Sequence, residues 1–248
     1  MIHSPRSAGE FTVSKHDKET ITNLLAKTDE AQRQMDGRLA VITRTALADI
    51  LDHKELEVVD RVYHIDPPRY GFKGPRLTVE PVPDKLVQVP PHPYTYQGEE
   101  YLTDTQYLPE PPYEAYLCMA QAALGETGRK LLINSSYRSP DYQALTFLTI
   151  LALYDFDVPK TAQRAAIPGY SEHGTPSSLA LDLQNVDGLP SDETPQDFEG
   201  TEEYNWLVAN AGQYNFSMSY PRDNPHGVMF EPWHWRHVPS GDAQFQLQ

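Results

Sequence analysis

The sequence predicts an α+β fold, with a small mixed or antiparallel sheet and flanking helices around a cleft, plus an N-terminal extension. Helix-like and strand-like segments mix without the regular βαβ rhythm of a parallel sheet. Prolines crowd residues 64–115, which disfavours helices there. The 248 residues are enough for one large domain or one domain with an extension. We place the boundary between a helical and proline-rich extension, 1–104, and a domain that carries the chemistry, 105–248.

The first part of the chain is predicted to be helical and then extended. Ser14 or Asp17 caps a segment with apolar residues at helical spacing, and a second such segment runs from Leu39 to Leu51. Residues 64–115 follow as an extended, wrapping segment with a few edge strands, because their tyrosines provide packing groups. A disordered linker is the alternative for this stretch.

After residue 112, predicted helices alternate with predicted strands. Helices are predicted where apolar runs are long or helically spaced, at 113–124, 142–154 and 202–213. Strands are predicted at short apolar runs, at 130–134, 179–183 and 228–230. A polar, acidic loop is predicted at 187–200.

The composition excludes several classes of function. Lys and Arg total 20 against 35 Asp and Glu, a formal net charge of −15, so neither nucleic acid nor an anionic membrane surface is expected as a partner. Cys118 is the only cysteine, which excludes an intrachain disulfide and a cysteine-rich zinc site. Its apolar neighbours predict that it is buried. No apolar run reaches the roughly 18 residues of a membrane span, and the N-terminus shows no apolar signal region.

Two segments carry side chains suited to bind a metal. The first has His173 and Asp182 on either side of a turn-like sequence, and the second, EPWHWR, contains Glu231 and His234. Two imidazoles and a carboxylate with an open fourth position can hold a catalytic zinc, whose bound water has a pKa of about 7. His173, Asp182 and His234 are therefore the predicted ligands of one zinc ion per chain, and Glu231 is the predicted general base. Alternatively, His173 and Asp182 lie at the surface and His234 is a packed core side chain.

A third segment, SSYRS at 135–139, ends a predicted strand and precedes a helix. Arg138 offers a planar fork that fits a carboxylate, and Gln143 offers both a donor and an acceptor. The pair suits the free carboxyl end of a peptide. Capping of the following helix, or an ion pair with a surface acid, is the alternative role of Arg138.

In this order, the three segments resemble the VanY-type D-alanyl-D-alanine carboxypeptidases, zinc peptidases that trim bacterial peptidoglycan. The family patterns read S-G-Y-R-S-x-x-x-Q, S-x-H-x-x-G-x-A-x-D and E-P-W-H-x-R-Y-V. Their counterparts begin at Ser135, Ser171 and Glu231, and the resemblance covers roughly 105–240.

The chain departs from the family patterns in its second and third segments and in one residue of the first. The departures are a longer spacing from His173 to Asp182, serines at 136 and 178 in place of glycines, and His237 in place of tyrosine. The longer loop keeps the identity of the ligands but puts the substrate preference in doubt, since it should border the cleft. Alternation along a strand directs His237 away from the face of His234, so a packing or surface role is expected.

The resemblance implies a zinc-dependent D-alanyl-D-alanine carboxypeptidase that acts on peptidoglycan stem peptides or muropeptides. Arg138, with Gln143 and Ser135, would hold the terminal carboxylate. Ser171 would support the substrate or orient the first histidine ligand, and Trp233 would wall the cleft and exclude water.

Three other functions fit the same patterns: an L,D-carboxypeptidase, an endopeptidase that cuts the L-Ala–D-Glu bond, and a non-catalytic cell-wall-binding module. The intact Glu231 argues against the last. The family implies a location in the cell envelope or periplasm, while the missing signal region leaves the cytoplasm open.

Overall fold

A computed structural model describes residues 11–35, 37–77, 79–189 and 194–239. These residues form two compact units, each built from separate stretches of the chain. The helical unit contains the described residues within 1–79, 139–171 and 225–228. The sheet unit contains those within 80–138, 172–224 and 229–248. The domain boundary between residues 104 and 105 stays a prediction.

The described part of the chain contains α-helices and short β-strands. The helices are α1 (Lys15–Gln34), α2 (Arg44–Ala48), α3 (His53–Val62), α4 (Glu110–Thr127), α5 (Pro140–Leu153), α6 (Val158–Ala162), α7 (Pro195–Glu199) and α8 (Glu202–Asn210). The strands are β1 (Val87–Val89), β2 (Pro93–Tyr96), β3 (Glu99–Leu102), β4 (Gln106–Leu108), β5 (Leu132–Ser135), β6 (Ala180–Gln184), β7 (Phe216–Met218) and β8 (His234–His237). The predicted α+β class is confirmed.

The helical unit is organised around α1, α3 and α5. Ser14 caps α1 as predicted: its hydroxyl accepts from the backbone N–H of Asp17, whose carboxylate accepts from the N–H of Ser14. The apolar stripe that includes Ile21 and Leu24 is fully buried. It packs with α3 and α5 into one hydrophobic core, so the stripe stabilises the unit as amphipathic helices usually do.

The single helix predicted between Leu39 and Leu51 is wrong. A 3₁₀ turn at Arg38–Val41 comes first, and Thr43 then caps the short helix α2. Asp52 caps α3, with its carboxylate accepting from the N–H groups of Lys54 and Glu55. Thr and Asp are good N-caps, so a new helix begins after each of them. The apolar residues from Leu39 to Leu51 therefore do not share one helix.

The proline-rich stretch forms strands, as predicted. β1 pairs with β4 and β2 pairs with β3, both antiparallel. Proline also starts the next helix, because α4 begins at Glu110 with Pro111 and Pro112 in its first turn. A proline lacks only an N–H that the first turn leaves unbonded in any case, so it is compatible with this position. The helix therefore begins three residues earlier than predicted.

Two further predictions are wrong. Cys118 is exposed rather than buried, because α4 turns Tyr116 and Met119 inwards and leaves Leu117 and Cys118 outside. The predicted strand at 228–230 has no regular structure, and the last strand is β8 instead. The predicted loop at 187–200 contains the short helix α7, and residues 190–193 of it lie outside the described residues.

The main sheet of this unit has the strand order β5-β6-β8-β7, and all of its pairs are antiparallel. The interior strand β6 is buried over its whole length. In the register of the sheet, Asp182 lies opposite His234 of β8 on one side and opposite Ser135 of β5 on the other. The pairing therefore brings three of the predicted site residues to one level of the sheet.

The pairing of β5 with β6 contains a β-bulge. Ile133 pairs with Leu183 and Ser135 with Asp182, which leaves Asn134 as the extra residue. The Asn134 side chain is exposed, while Ile133 is buried. The bulge thus sets which residue of β5 faces Asp182.

No helix among the described residues is long and apolar enough to cross a membrane.

Candidate metal centre

Three predicted ligands converge in the sheet unit. His173 lies in a 3₁₀ turn at Glu172–Gly174, Asp182 lies in the interior strand β6, and His234 is the first residue of β8. One ligand atom from each lies within 4.8 Å of the others. The side chains of His173, Asp182 and His234 are 6%, 12% and 4% exposed. The alternative of a surface histidine and a solvent-facing aspartate is therefore wrong.

Asp182 stands between the two imidazoles. Its Oδ1 lies 2.9 Å from Nδ1 of His234, and its Oδ2 lies 3.1 Å from Nε2 of His173. The two rings are nearly perpendicular, with centroids 5.0 Å apart. The nitrogens that face Asp182 are thus the pair that would bind a metal together with its carboxylate.

The second nitrogen of each imidazole faces an acceptor. Nδ1 of His173 lies 2.9 Å from the carbonyl oxygen of Ser136, and Nε2 of His234 lies 3.0 Å from Oε2 of Glu172. A proton on each of these nitrogens leaves Nε2 of His173 and Nδ1 of His234 with the lone pairs that a metal needs. Such acceptors behind the ligands are typical of metal-binding histidines. The residues therefore fit a zinc ion with two nitrogen ligands and one oxygen ligand.

Burial and charge shift the pKa values of these groups in different directions. Burial lowers the pKa of His173, and the nearby Asp182 carboxylate opposes this only in part. Burial alone would also lower the pKa of His234, but hydrogen bonds to Asp182 and Glu172 outweigh it and raise that pKa to about 10. Burial would raise the pKa of Asp182, yet the two histidines hold it well below its ordinary value. Without a metal, the centre therefore keeps an ionised carboxylate next to a protonated His234.

Glu231 reaches the same centre through a tight turn. The N–H of His234 donates to the carbonyl oxygen of Glu231 over 3.2 Å, and the N–H of Glu231 donates to the carbonyl of Tyr220 over 3.0 Å. Pro232 lies at the second position of this turn. Oε2 of Glu231 lies 3.8 Å from Nδ1 of His234. A carboxylate there is near the predicted metal position and lies outside hydrogen-bond distance of the ligand nitrogen.

Arg138 is fixed next to the ligands. Its Nε and Nη2 donate to Oγ of Ser135 over 3.1 and 2.6 Å, and Nη2 lies 3.4 Å from Oδ2 of Asp182. Its backbone N–H donates to the carbonyl of His173. Helix α5 is capped by the Ser139 hydroxyl, so the alternative role of Arg138 as its cap is wrong. Binding of a substrate carboxylate by Arg138 stays a prediction, and Ser135 contacts Arg138 itself.

The remaining predicted substrate residues are Gln143, Ser171 and Trp233, and all three are buried. Gln143 and Ser171 belong to the helical unit, where both are buried and Gln143 donates to the carbonyl of Ala166 over 2.6 Å. Trp233 belongs to the sheet unit and is buried, with its carbonyl accepting from the N–H of Leu183. Their roles in substrate binding stay predictions.

The departures from the family patterns leave the centre intact. The longer loop after His173 contains a second 3₁₀ turn, Pro176–Ser178, and both ligands still converge. His237 is buried against the ring of Phe216, with centroids 5.3 Å apart. Burial lowers its pKa. It packs on the face of β8 opposite to His234, as alternation requires.

Sequence reasoning missed Glu172, Ser219 and Arg236. Glu172 is buried, and its carboxylate contacts His234, Ser219 and Arg236. A signal was present in the sequence. Glu172 directly precedes the predicted ligand His173, and Arg236 lies two positions after the predicted ligand His234. Charged residues are rarely buried without partners, but nothing in the sequence indicates that Glu172 is buried or that Arg236 lies beside it.

The part of the chain that matches known proteins includes strands β5 to β8 of the main sheet. A family model described as VanY, D-alanyl-D-alanine carboxypeptidase, matches residues 105–240. A D-alanyl-D-alanine carboxypeptidase of Enterococcus faecium is 28% identical over 162 residues, 64% of this chain and 46% of its own. Another D-alanyl-D-alanine carboxypeptidase, of Enterococcus faecalis, is 41% identical over 75 residues, 29% of this chain and 24% of its own. The chain thus spans less than half the length of either relative.

A solved structure is also similar to this chain. It is that of the LdcB LD-carboxypeptidase, with a TM-score of 0.48 and 29% identity, covering 63% of this chain and 69% of its own.

Proposed function

Because the chain belongs to the VanY family of D-alanyl-D-alanine carboxypeptidases, we propose that it is a zinc-dependent carboxypeptidase that removes the terminal D-Ala from peptidoglycan stem peptides. The observation that carries the proposal is the convergence of His173, Asp182 and His234, whose ligand atoms lie within 4.8 Å of one another. A fourth group, the Glu231 carboxylate, lies 3.8 Å from one ligand nitrogen.

Zinc is the metal that this donor set favours. Two imidazole nitrogens and one carboxylate oxygen suit zinc, and three protein ligands leave a position open for water or substrate. When bound, zinc polarises the carbonyl of the scissile bond and makes water acidic enough to lose a proton near neutral pH. The chain holds the three ligand side chains in buried positions with their hydrogen bonds made, so little reorganisation is needed on binding.

Glu231 acts as the general base and then as the general acid. Its carboxylate takes a proton from the attacking water, whose oxygen forms a bond with the carbonyl carbon. The same proton then passes to the nitrogen of the leaving D-Ala as the carbon–nitrogen bond breaks. Its partial exposure, 18% of the side chain, suits a group that must meet both water and substrate.

Arg138 positions the terminal carboxylate of the substrate. Its guanidinium is oriented by the Ser135 hydroxyl and lies next to the ligand Asp182. A substrate carboxylate held by this fork places the last peptide bond beside the metal ligands, which makes the enzyme a carboxypeptidase. We assign Trp233 of the sheet unit to the same substrate, as the family resemblance implies. The cell envelope is the proposed location, with cytoplasmic muropeptides as the alternative substrate pool.

Metal content and peptidase activity, measured on the same sample, test the proposal. Purified protein is assayed for zinc and then incubated with a pentapeptide that ends in D-Ala-D-Ala, with and without chelator. We expect about one zinc per chain, as three ligands around one position imply, and release of D-Ala that chelator abolishes.

Two results would change the proposal. Zinc without release of D-Ala would move the substrate to tetrapeptide stems or to the L-Ala–D-Glu bond, and chromatography of the digested stems would separate these cases. No zinc under any loading condition would overturn the proposal.

A further inference from the structure

We infer that Glu172 is a positioning residue for the zinc ligand His234: its carboxylate holds the Nε2–H of the ring and so directs Nδ1 to the metal. The inference rests on the proposed metal centre, and it does not depend on which peptide bond is cut. Neither the sequence patterns nor the matches to known proteins assign a role to this residue.

The first observation is the contact between the two side chains. Oε2 of Glu172 lies 3.0 Å from Nε2 of His234, and both residues are buried. Asp182 and Glu231 face Nδ1, the other nitrogen of the ring, at 2.9 and 3.8 Å. The carboxylates near His234 are therefore divided between its two edges, and Glu172 alone among these three acts on Nε2.

The second observation is that Glu172 is itself held on both oxygens. Ser219 Oγ donates to Oε2 over 2.5 Å, and Nη1 of Arg236 donates to Oε1 over 3.2 Å. Arg236 is anchored in turn, because its Nε donates to the carbonyl and the hydroxyl oxygens of Ser178. Rotation of the Glu172 carboxylate would break these bonds, so its oxygen stays aimed at His234.

The third observation is the position of Arg236 on β8. Residues two apart on a strand point to the same face, and accordingly His234 and Arg236 both contact Glu172. The strand therefore delivers a metal ligand and the anchor of its supporting carboxylate together. This gives the arginine of the EPWHWR segment a role that does not involve substrate.

The two ligand histidines differ in what supports them. His173 donates to a neutral backbone carbonyl of Ser136, whereas His234 donates to an ionised carboxylate. Hydrogen bonds to ionised acceptors are roughly twice as strong as neutral ones. A carboxylate behind an imidazole also raises its basicity as a ligand. Loss of Glu172 is therefore expected to weaken zinc binding through His234 and to leave His173 unaffected.

Glu172→Gln is the informative substitution because it keeps size and shape. The amide oxygen can face His234, but the amide N–H groups then face the donor Nη1 of Arg236. If the amide turns over, its N–H faces Nε2 and favours the tautomer with the proton on Nδ1, which cannot bind the metal. Either orientation opposes the arrangement that zinc requires.

Zinc affinity, measured by competition with a chromophoric chelator, is the first readout. We expect Glu172→Gln to lower the affinity by about 10- to 100-fold, the usual effect of removing such a supporting group. Glu199→Gln is the matched control, since it makes the same substitution at a glutamate of the sheet unit that pairs with Arg222 rather than with His234; we expect a change of less than about threefold. Wild-type affinity in Glu172→Gln would overturn the inference.

The second readout follows the imidazole N–H protons of the zinc-loaded proteins by ¹⁵N-edited NMR. A positioning role predicts that Glu172→Gln shifts the Nε2–H of His234 or speeds its exchange, while the Nδ1–H of His173 keeps its wild-type signal. A role that is merely structural would change both signals or neither, and would overturn the inference. If Glu172→Gln does not fold, Arg236→Met applies the same NMR test with the carboxylate retained but unanchored.

The outcomes separate this inference from the proposed function. Failure of the wild-type protein to bind zinc removes the metal centre, and with it the proposed function. Zinc binding that Glu172→Gln leaves unchanged removes only the role of Glu172.

Discussion

Each of the two units buries an aspartate, and the partners of the two aspartates differ. In the helical unit, Asp141 accepts from Nη1 of Arg44 and from the hydroxyl of Tyr63, each over 3.0 Å. Arg44 also pairs with Asp60. In the sheet unit, Asp182 contacts two imidazoles and Arg138. Both carboxylates lie between side chains that come from distant parts of the sequence.

The two clusters differ in whether the side chains around the aspartate can bind a metal. Guanidinium and phenol groups donate to Asp141, and these contacts join α2 and the end of α3 to α5. The imidazoles beside Asp182 each direct one nitrogen towards the predicted metal position, because the other nitrogen is bonded to Ser136 or Glu172. Burial of a charge therefore does not identify a functional site, whereas the chemistry of its partners does.

The largest expected effect tests the functional side of this comparison. Glu231→Gln should lower kcat by about 100-fold or more, because a general base contributes that much or more to proton transfer. Zinc content should stay at the wild-type value, since Glu231 is not among the three converging ligand groups. Stopped-time assays on metal-loaded protein measure the effect, and near-normal turnover would remove Glu231 from its role.

The next effect tests the structural side. Asp141→Asn should lower the free energy of unfolding by about 2 kcal/mol, roughly a 30-fold change in the folding equilibrium, because it weakens charged hydrogen bonds at a buried site. Zinc affinity should not change. Urea denaturation and chelator competition measure the two quantities, with the exposed Asp60→Asn as the control. A loss of zinc affinity in Asp141→Asn would break the distinction between the clusters.

A third effect sharpens the comparison through pH. The pKa of His234 in the metal-free protein is raised from 6.5 to about 10. A proton on Nδ1 competes with the metal below that pKa, so zinc affinity should rise about tenfold per pH unit between pH 7 and 9.

The stability of the metal-free protein should change in the opposite direction. A folded-state pKa above the unfolded one stabilises the protein fully below pH 6.5, and this stabilisation is lost as the pH rises towards about 10. Thermal unfolding of metal-free protein checks the sign, with His234→Gln as the control. Zinc affinity that is flat with pH would contradict a protonated His234.

The smallest expected effect concerns Ser135. Ser135→Ala removes the hydroxyl that accepts from Arg138, which we expect to cost about 1 kcal/mol and lower kcat/KM about fivefold. The loss should appear in KM, because Arg138 is proposed to bind substrate and Ser135 only orients it. Arg138→Lys should have a larger effect, since a lysine cannot form the fork. A larger loss in Ser135→Ala than in Arg138→Lys would instead make Ser135 a direct substrate contact.

The sequence was sufficient to predict the class of fold and the convergence of His173, Asp182 and His234. Two histidines, an aspartate and a glutamate in the family order indicate zinc chemistry whatever the path of the chain between them. The cap of α1 was predictable because capping is local, and Ser14 with Asp17 shows its pattern directly.

Two of the misses share a physical reason, since they depend on contacts distant in sequence, whereas the third is local. The burial of Glu172 requires Arg236, 64 positions away, to lie beside it. Cys118 is exposed because of the side on which α4 packs, which an apolar sequence on all faces does not reveal. The segment from Leu39 to Leu51 has a helical spacing, but the caps at Thr43 and Asp52 outweigh it.

The bulge at Asn134 affects which substitutions and deletions the chain can tolerate during evolution. Its side chain is exposed, so many residues can replace it at little cost. Removal of the position would make Ile133 and Ser135 adjacent, opposite the adjacent residues Leu183 and Asp182, so the pairing on both sides of the bulge would be kept. What would be lost is the bend and the stronger twist that a bulge adds to its strand. Evolution can therefore shorten the chain by one residue here and still leave Ser135 opposite Asp182, a tolerance of chain length that a record of substitutions alone would not display.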